Sequence, residues 1–169
     1  DSDVGTQISV QVSYTDGHGT NESLTSAQTA PVANVNDAPM GAPAVTGTAS
    51  EDQVLTADTT GISDADGLGA FSYRWLRDGS TIAGASGSTY TLTDSDVGTQ
   101  ISVQLSYTDG HGTSESLTSA QTVPVANVND APVGAPAVTG TAIEDQVLTA
   151  DTTGISDPDG LGIFSYQWL

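Results

Sequence analysis

The chain has no cysteine, no lysine and only two arginines, and nine aromatic side chains are spread over its 169 residues. Without cysteine no disulfide can form, so any fold must rest on burial and hydrogen bonding, and redox compartment is not indicated. The two arginines face 21 acidic residues, for a formal charge of −19. A surface of that sign repels nucleic acid and anionic lipid, which argues against both as partners. No stretch approaches the roughly 20 apolar residues that span a bilayer, none reads as a signal peptide, and none keeps a helical period. The only histidines, His18 and His111, lie in two copies of the turn sequence TDGHGT. Nothing marks a nucleophile or an oxyanion site within reach of either, so no enzymatic activity is expected. A narrow sandwich also rarely offers the cleft that paired carboxylates need for glycoside hydrolysis.

What the chain does have is repetition. Residues 1–76 align with 94–169, and only eight of the 76 pairs differ: Val12/Leu105, Asn21/Ser114, Ala30/Val123, Met40/Val133, Ser50/Ile143, Ala65/Pro158, Ala70/Ile163 and Arg74/Gln167. The period is therefore 93 residues. That exceeds the roughly 20–50 residues of solenoid repeats and suits one complete small domain. The stretch VANVNDAP at 32–39 and 125–132 punctuates the copies. Bracketed by it, residues 37–129 form one unit, 1–36 the last two strands of a preceding one, and 130–169 the first three of a following one. Each end is expected to need a neighbour, in this chain or another, to cover its apolar face.

Within a unit the pattern is that of strands. In QISVQLSY, 100–107, Ile101, Val103, Leu105 and Tyr107 alternate with polar residues, and QISVQVSY at 7–14 repeats this. FSYRWL puts Phe71, Tyr73 and Trp75 on one face, and STYTL puts Tyr90 and Leu92 on one face. Between them lie DADGLG, RDGS, GASGS, DSDVGT and TDGHGT, all turn chemistry. Strands are predicted near 43–48, 53–58, 71–76, 80–84, 89–93, 100–107 and 115–125. They would form an all-β, Greek-key β-sandwich with Trp75, Tyr73, Tyr90, Leu92, Ile101, Val103 and Leu105 in its core.

The segment from Tyr73 to Gly112 resembles an immunoglobulin-like domain. Trp75 falls at the core tryptophan position and DSDVG at the corner before an alternating strand, with Leu55 and Val103 where antibody domains place their disulfide. SDADGLGAFSY, SDPDGLGIFSY and VPVANVNDAP resemble the loops and linker of bacterial cadherin-like repeats. Together they are similar to the tandem repeats of giant surface adhesins exported by type I secretion. That resemblance implies an extracellular, cell-surface location and Ca²⁺ sites at the linkers between domains. At the first linker it points to Asp1 and Asp3 from the preceding domain, and to Asn34, Asn36 and Asp37 from the linker itself. Asp64, Asp66 and Asp109 would come from the following domain. Asn34 stands where the family prefers Asp, and Ala38 where it prefers Asn. At the second linker the set is Glu51, Asp94, Asp96, Asn127, Asn129, Asp130, Asp157 and Asp159. An EF-hand is excluded, because Gly67 follows Asp64 and Asp66 too soon and Trp75 takes the twelfth loop position. The glycine-rich nonapeptide of calcium-binding β-rolls is also absent.

Any one of these Asp/Asn/Gly loops reads equally well as plain turn chemistry. Jointly they bring carboxylates from several segments to one place, where a hard, oxygen-loving cation would offset the repulsion. The function expected is a structural stalk or fibre spacer, stiffened by Ca²⁺, with adhesion to a host-surface or biofilm ligand carried elsewhere in the protein. The alternative is a glycan- or protein-recognition module. Only Ala65/Pro158 differs within the DADGLG and TDGHGT loops, and such sameness favours a spacer over a reader of varied ligands. The Ser/Thr/Gly/Asp-rich, lysine-free balance fits such a stalk, and equally a protein from high salt.

Overall fold

Alternating residues become strands and the Asp/Gly clusters become the turns between them. The computed structural model describes residues 2–169. β1 (Gln11–Thr15) and β2 (Asn21–Thr25) form a hairpin. The middle of the chain holds β3 (Ala44–Thr46), β4 (Val54–Asp58), β5 (Ser72–Arg77), β6 (Ser80–Thr81), β7 (Thr89–Thr91), β8 (Ile101–Thr108) and β9 (Ser114–Thr118). A second hairpin, β10 (Ala137–Gly140) and β11 (Leu148–Asp151), follows. All strand pairs are antiparallel, and among the described residues no helix is long and apolar enough to cross a membrane.

The seven central strands make two sheets, ordered β3-β4-β7 and β6-β5-β8-β9. Their inner faces share one core, so the centre is β-sandwich-like. Leu55 and Ala57 of β4 meet Trp75 of β5 and Ile101, Val103 and Leu105 of β8, with Ile62, Leu92 and Val125 closing the cluster. Register follows from the alternation: Tyr73 lies opposite Leu105, and Trp75 opposite Val103. Trp75 is fully buried and its indole N–H donates to the Gly87 carbonyl (2.9 Å), which removes the cost of an unpaired buried donor. Tyr73 and Tyr90, expected in the core, are half-buried and pack at its margin.

The strand expected over 115–125 is regular only to Thr118. Beyond it the Ser119 and Thr122 hydroxyls accept the N–H groups of Val103 and Ile101 (3.0 Å each), replacing ladder carbonyls. The chain then makes isolated parallel bridges, Val125 with Val97 and Ala126 with Ser50. This last contact carries the linker away beside Glu51.

Asp96 departs from expectation. Instead of facing the linker it is fully buried, within a 3-10 turn at Asp94–Asp96. Oδ1 accepts from Arg77 (Nε 2.8 Å, Nη2 2.7 Å); Oδ2 accepts from the Tyr90 hydroxyl (2.8 Å) and from the Thr93 N–H (2.9 Å) and hydroxyl (3.0 Å). Burial pushes this carboxyl up, but the donors outweigh it and hold it below the ordinary value of 3.8. With both oxygens so engaged, Asp96 is a structural anion that pins the corner before β8.

Candidate metal centre at the linkers

The second linker collects the tightest group of carboxylates among the described residues. One oxygen each of Glu51, Asp130 and Asp159 lies within 4.8 Å of the other two. Three separate segments supply them. Glu51 sits in the turn between β3 and β4, fixed by its own N–H on the Ala126 carbonyl (2.9 Å). Asp130 is the last acidic residue of the linker, and its N–H donates to Asp159 Oδ2 (2.7 Å). Asp159 lies in the loop after β11, where its N–H donates to Asp157 Oδ1 (3.0 Å) in an Asx turn.

Glu51 is almost fully buried. Oε2 accepts the Val128 N–H of the linker (3.1 Å), whereas Oε1 is buried and accepts nothing. The Asp94 carboxyl beside it pushes the Glu51 carboxyl above its ordinary value of 4.5, first because protonated Glu51 can donate to Asp94 and then because the two ionised groups repel. Asp130 is also raised, by burial first and then by Asp94, Asp159, Asp52 and Asp157. Lysine is absent, Arg77 is committed to Asp96, and among the described residues no ion pair reaches Glu51, Asp130 or Asp159. Every donor atom the group offers is oxygen.

The first linker repeats the backbone part of this arrangement. The Asp37 N–H donates to Asp66 Oδ2 (2.7 Å), and the Asp66 N–H to Asp64 Oδ1 (2.9 Å). Here the following sandwich is complete, so more surrounds the loop. The Tyr107 hydroxyl donates to Asp64 Oδ2 (2.5 Å), and Tyr107 is itself raised, by burial and then by this bond. Gly110 donates its N–H to the Asp66 carbonyl (2.9 Å), and a Cβ on Gly110 would lie 2.5 Å from that oxygen, so the approach needs glycine. Asp109 Oδ1 accepts from the N–H groups of His111 and Thr113 (2.8 Å each). Burial raises Asp109, but these N–H groups hold it below its ordinary value. Three buried oxygens accept no hydrogen bond: Asn34 Oδ1, Asp66 Oδ1 and Asp109 Oδ2. His111 Nε2 lies 3.9 Å from Asp66 Oδ1.

The expected residues thus divide. Asp37, Asp64, Asp66 and the Asp109 loop come together at the first linker, where Asn34 Oδ1 is buried but no contact joins it to them; Glu51, Asp94, Asp130, Asp157 and Asp159 gather at the second. Asp3 is exposed and Asp1 lies outside the described residues. Asn36 turns its amide to Glu115 Oε1 (2.9 Å), while Asn129 donates to the Asp130 carbonyl (3.0 Å) and Asn127 is exposed. Three participants escaped the sequence reading. Glu115 and Tyr107 looked like ordinary strand residues. Asp52, whose charge raises Asp130, adopts φ +62°, and its counterpart Asp145 adopts +63°. The repeated Glu-Asp pair was the available signal, because Asp tolerates that region better than most residues. Compared with known proteins, the chain matches no family model, no curated protein and no solved structure.

Proposed function

We propose that the chain is part of an extracellular structural rod whose successive β-sandwiches are stiffened by Ca²⁺ at the linkers. One observation carries the reading: the buried, unpartnered Oε1 of Glu51 in a group whose other carboxylates come from Asp130 and Asp159, with no protein cation among them. An all-oxygen donor set selects a hard cation over zinc or copper. Ligands drawn from a turn, a linker and a second loop suit Ca²⁺, which accepts six to eight oxygens in irregular arrangement, better than Mg²⁺, which demands an octahedron. Glu51, Asp94, Asp130, Asp157 and Asp159 would hold the ion at the second linker. Asn34, Asp37, Asp64, Asp66 and Asp109 would supply a matching site at the first. The ion would neutralise carboxylates that otherwise repel, and so fix one unit against the next.

The strand order β3-β4-β7 over β6-β5-β8-β9 supports the finer fold reading, a Greek-key, immunoglobulin-like sandwich repeated every 93 residues. The resemblance to type I-secreted adhesin stalks supports the extracellular setting, where millimolar Ca²⁺ would fill sites of about 10⁻⁴–10⁻³ M that stay empty in cytosol. Titration calorimetry with CaCl₂ tests this. Binding is expected for the parent chain and weakened in Glu51→Gln and Asp159→Asn. Absence of heat, with small-angle scattering the same in Ca²⁺ and in chelator, would return the linkers to ordinary turns.

A further inference from the structure

We propose that the loops at the first linker also bind Zn²⁺, with His111 Nε2 supplying a nitrogen ligand beside the carboxylates of Asp66 and Asp109. All three residues belong to the central sandwich, so the site needs no neighbouring unit. It stands apart from the Ca²⁺ reading, although both use Asp66 and Asp109.

Two buried oxygens carry the inference. The Asp66 side chain is 0% exposed. Its Oδ2 accepts the Asp37 N–H (2.7 Å), whereas Oδ1 accepts nothing and lies 3.9 Å from His111 Nε2. Asp109 divides its oxygens the same way. Oδ1 takes the N–H groups of His111 and Thr113 (2.8 Å each), and Oδ2 is buried without a partner. A buried carboxylate oxygen left unpaired is costly, and a bound cation removes that cost. The Gly110 N–H on the Asp66 carbonyl (2.9 Å) ties the two loops together, which holds the His111 turn against Asp66.

The nitrogen changes which ion the loops suit. Ca²⁺ and Mg²⁺ are held by oxygen, whereas imidazole with carboxylates suits Zn²⁺. Three protein ligands and a water complete its four-coordinate shell, and two carboxylates with a neutral imidazole match its charge. Zn–N and Zn–O bonds of roughly 2.0–2.2 Å hold neighbouring ligand atoms about 3.0–3.5 Å apart. The 3.9 Å pair is therefore close to the separation an ion would set. Asp109 Oδ2 stands less near: unlike the oxygens of Glu51, Asp130 and Asp159, the three donor atoms do not all lie within 4.8 Å of one another. Closure falls on the turn that carries both Asp109 and His111, where the imidazole is 36% exposed and can rotate inward.

Bound there, the ion would join the loop between β4 and β5 to the turn between β8 and β9. β4 and β5 lie in different sheets, and the chain has no cysteine with which to make such a cross-link.

Titration of the full chain with ZnCl₂ in Ca²⁺-free buffer tests the inference, followed through the ring-proton resonances of the two histidines. In the parent, Zn²⁺ should shift the His111 signals and leave those of His18 in place. Losing an outer partner of a metal ligand costs roughly tenfold in affinity, so His111→Gln and Asp66→Asn should each weaken Zn²⁺ by at least that much. His18→Gln should leave the affinity unchanged. Co²⁺ used in place of Zn²⁺ should give a visible absorption band that His111→Gln abolishes. No shift at His111 up to about 1 mM Zn²⁺ overturns the proposal. So does Zn²⁺ affinity that survives His111→Gln, or an equal shift at both histidines, which would mean loose attachment to any exposed imidazole. Ca²⁺ is titrated separately, so its failure to bind would sink the stiffened rod while a Zn²⁺ site that depends on His111 stands.

Discussion

Trp75 and Trp168 occupy the same place in two near-identical segments, FSYRWL and FSYQWL, yet Trp75 is 0% exposed and Trp168 57%. The strands that would face them differ in the same way: Val103 is 0% exposed and its counterpart Val10 60%. Local sequence cannot account for this, since the alternation is the same in both copies. Burial belongs to the pair of facing surfaces. Only in the middle of the chain does one stretch of sequence supply both sheets. The aspartates divide likewise: Asp96 is enclosed by Arg77, Tyr90 and Thr93, whereas its counterpart Asp3 is exposed.

The comparison breaks most visibly at the tryptophans. Trp75→Ala should cost about 3–5 kcal/mol, as deleting a buried Trp does, while Trp168→Ala should leave the melting transition within about 0.5 kcal/mol. Calorimetric or denaturant unfolding checks both, and equal effects would mean the two copies are packed alike. Next in size is Arg77→Ala, which strips the buried Asp96 of its cation. About 3 kcal/mol is expected, the low end for removing one partner of a buried pair because the guanidinium is partly exposed. Smaller is the effect of the ion. With a dissociation constant near 10⁻⁴ M, about 1 mM free Ca²⁺ should stabilise the junction by roughly 1.4 kcal/mol, lost in Glu51→Gln.

Acid should separate the two kinds of carboxylate without mutation. Glu51 and Asp130 are raised, so the folded junction binds protons that the unfolded chain does not. In chelator its stability is greatest below the ordinary value of 4.5 and falls as pH rises through the raised ones. Asp96 is lowered, so its contribution is present above 3.8 and is lost as pH falls through its folded value. Melting followed across acid pH in chelator should therefore pass through a maximum that added Ca²⁺ shifts toward neutrality. The smallest change expected is that of Asn36→Asp, which sets a carboxylate against Glu115 in place of an amide donor. A loss below about 1 kcal/mol in chelator is expected, and a smaller one from the matching Asn129→Asp, whose amide donates to the Asp130 carbonyl and not to a carboxylate. A double-mutant cycle with Glu115→Gln measures the difference.

The 93-residue period, the strands of alternating residues, the turns at Asp/Gly clusters and the inner face that carries Trp75 are all legible in the order of residues alone. These are local properties: the pleat sends alternate side chains to opposite faces, and Gly, Asp and Asn accept turn conformations whatever surrounds them. The sequence also placed Glu51, Asp130 and Asp159 in the candidate site, though by resemblance and not by chemistry. Which copies of the pattern are buried, and which acidic groups meet, depends on how the folded segments come together. Asp94 and Asp96 are two residues apart, yet one carboxyl presses on Glu51 and the other is enclosed by Arg77. Ser119 and Thr122 end the regular strand because their hydroxyls reach the N–H groups of β8, a contact no periodicity reveals. Burial and charge convergence depend on segments far apart in the chain arriving at one point, and each copy of the repeat meets different neighbours there.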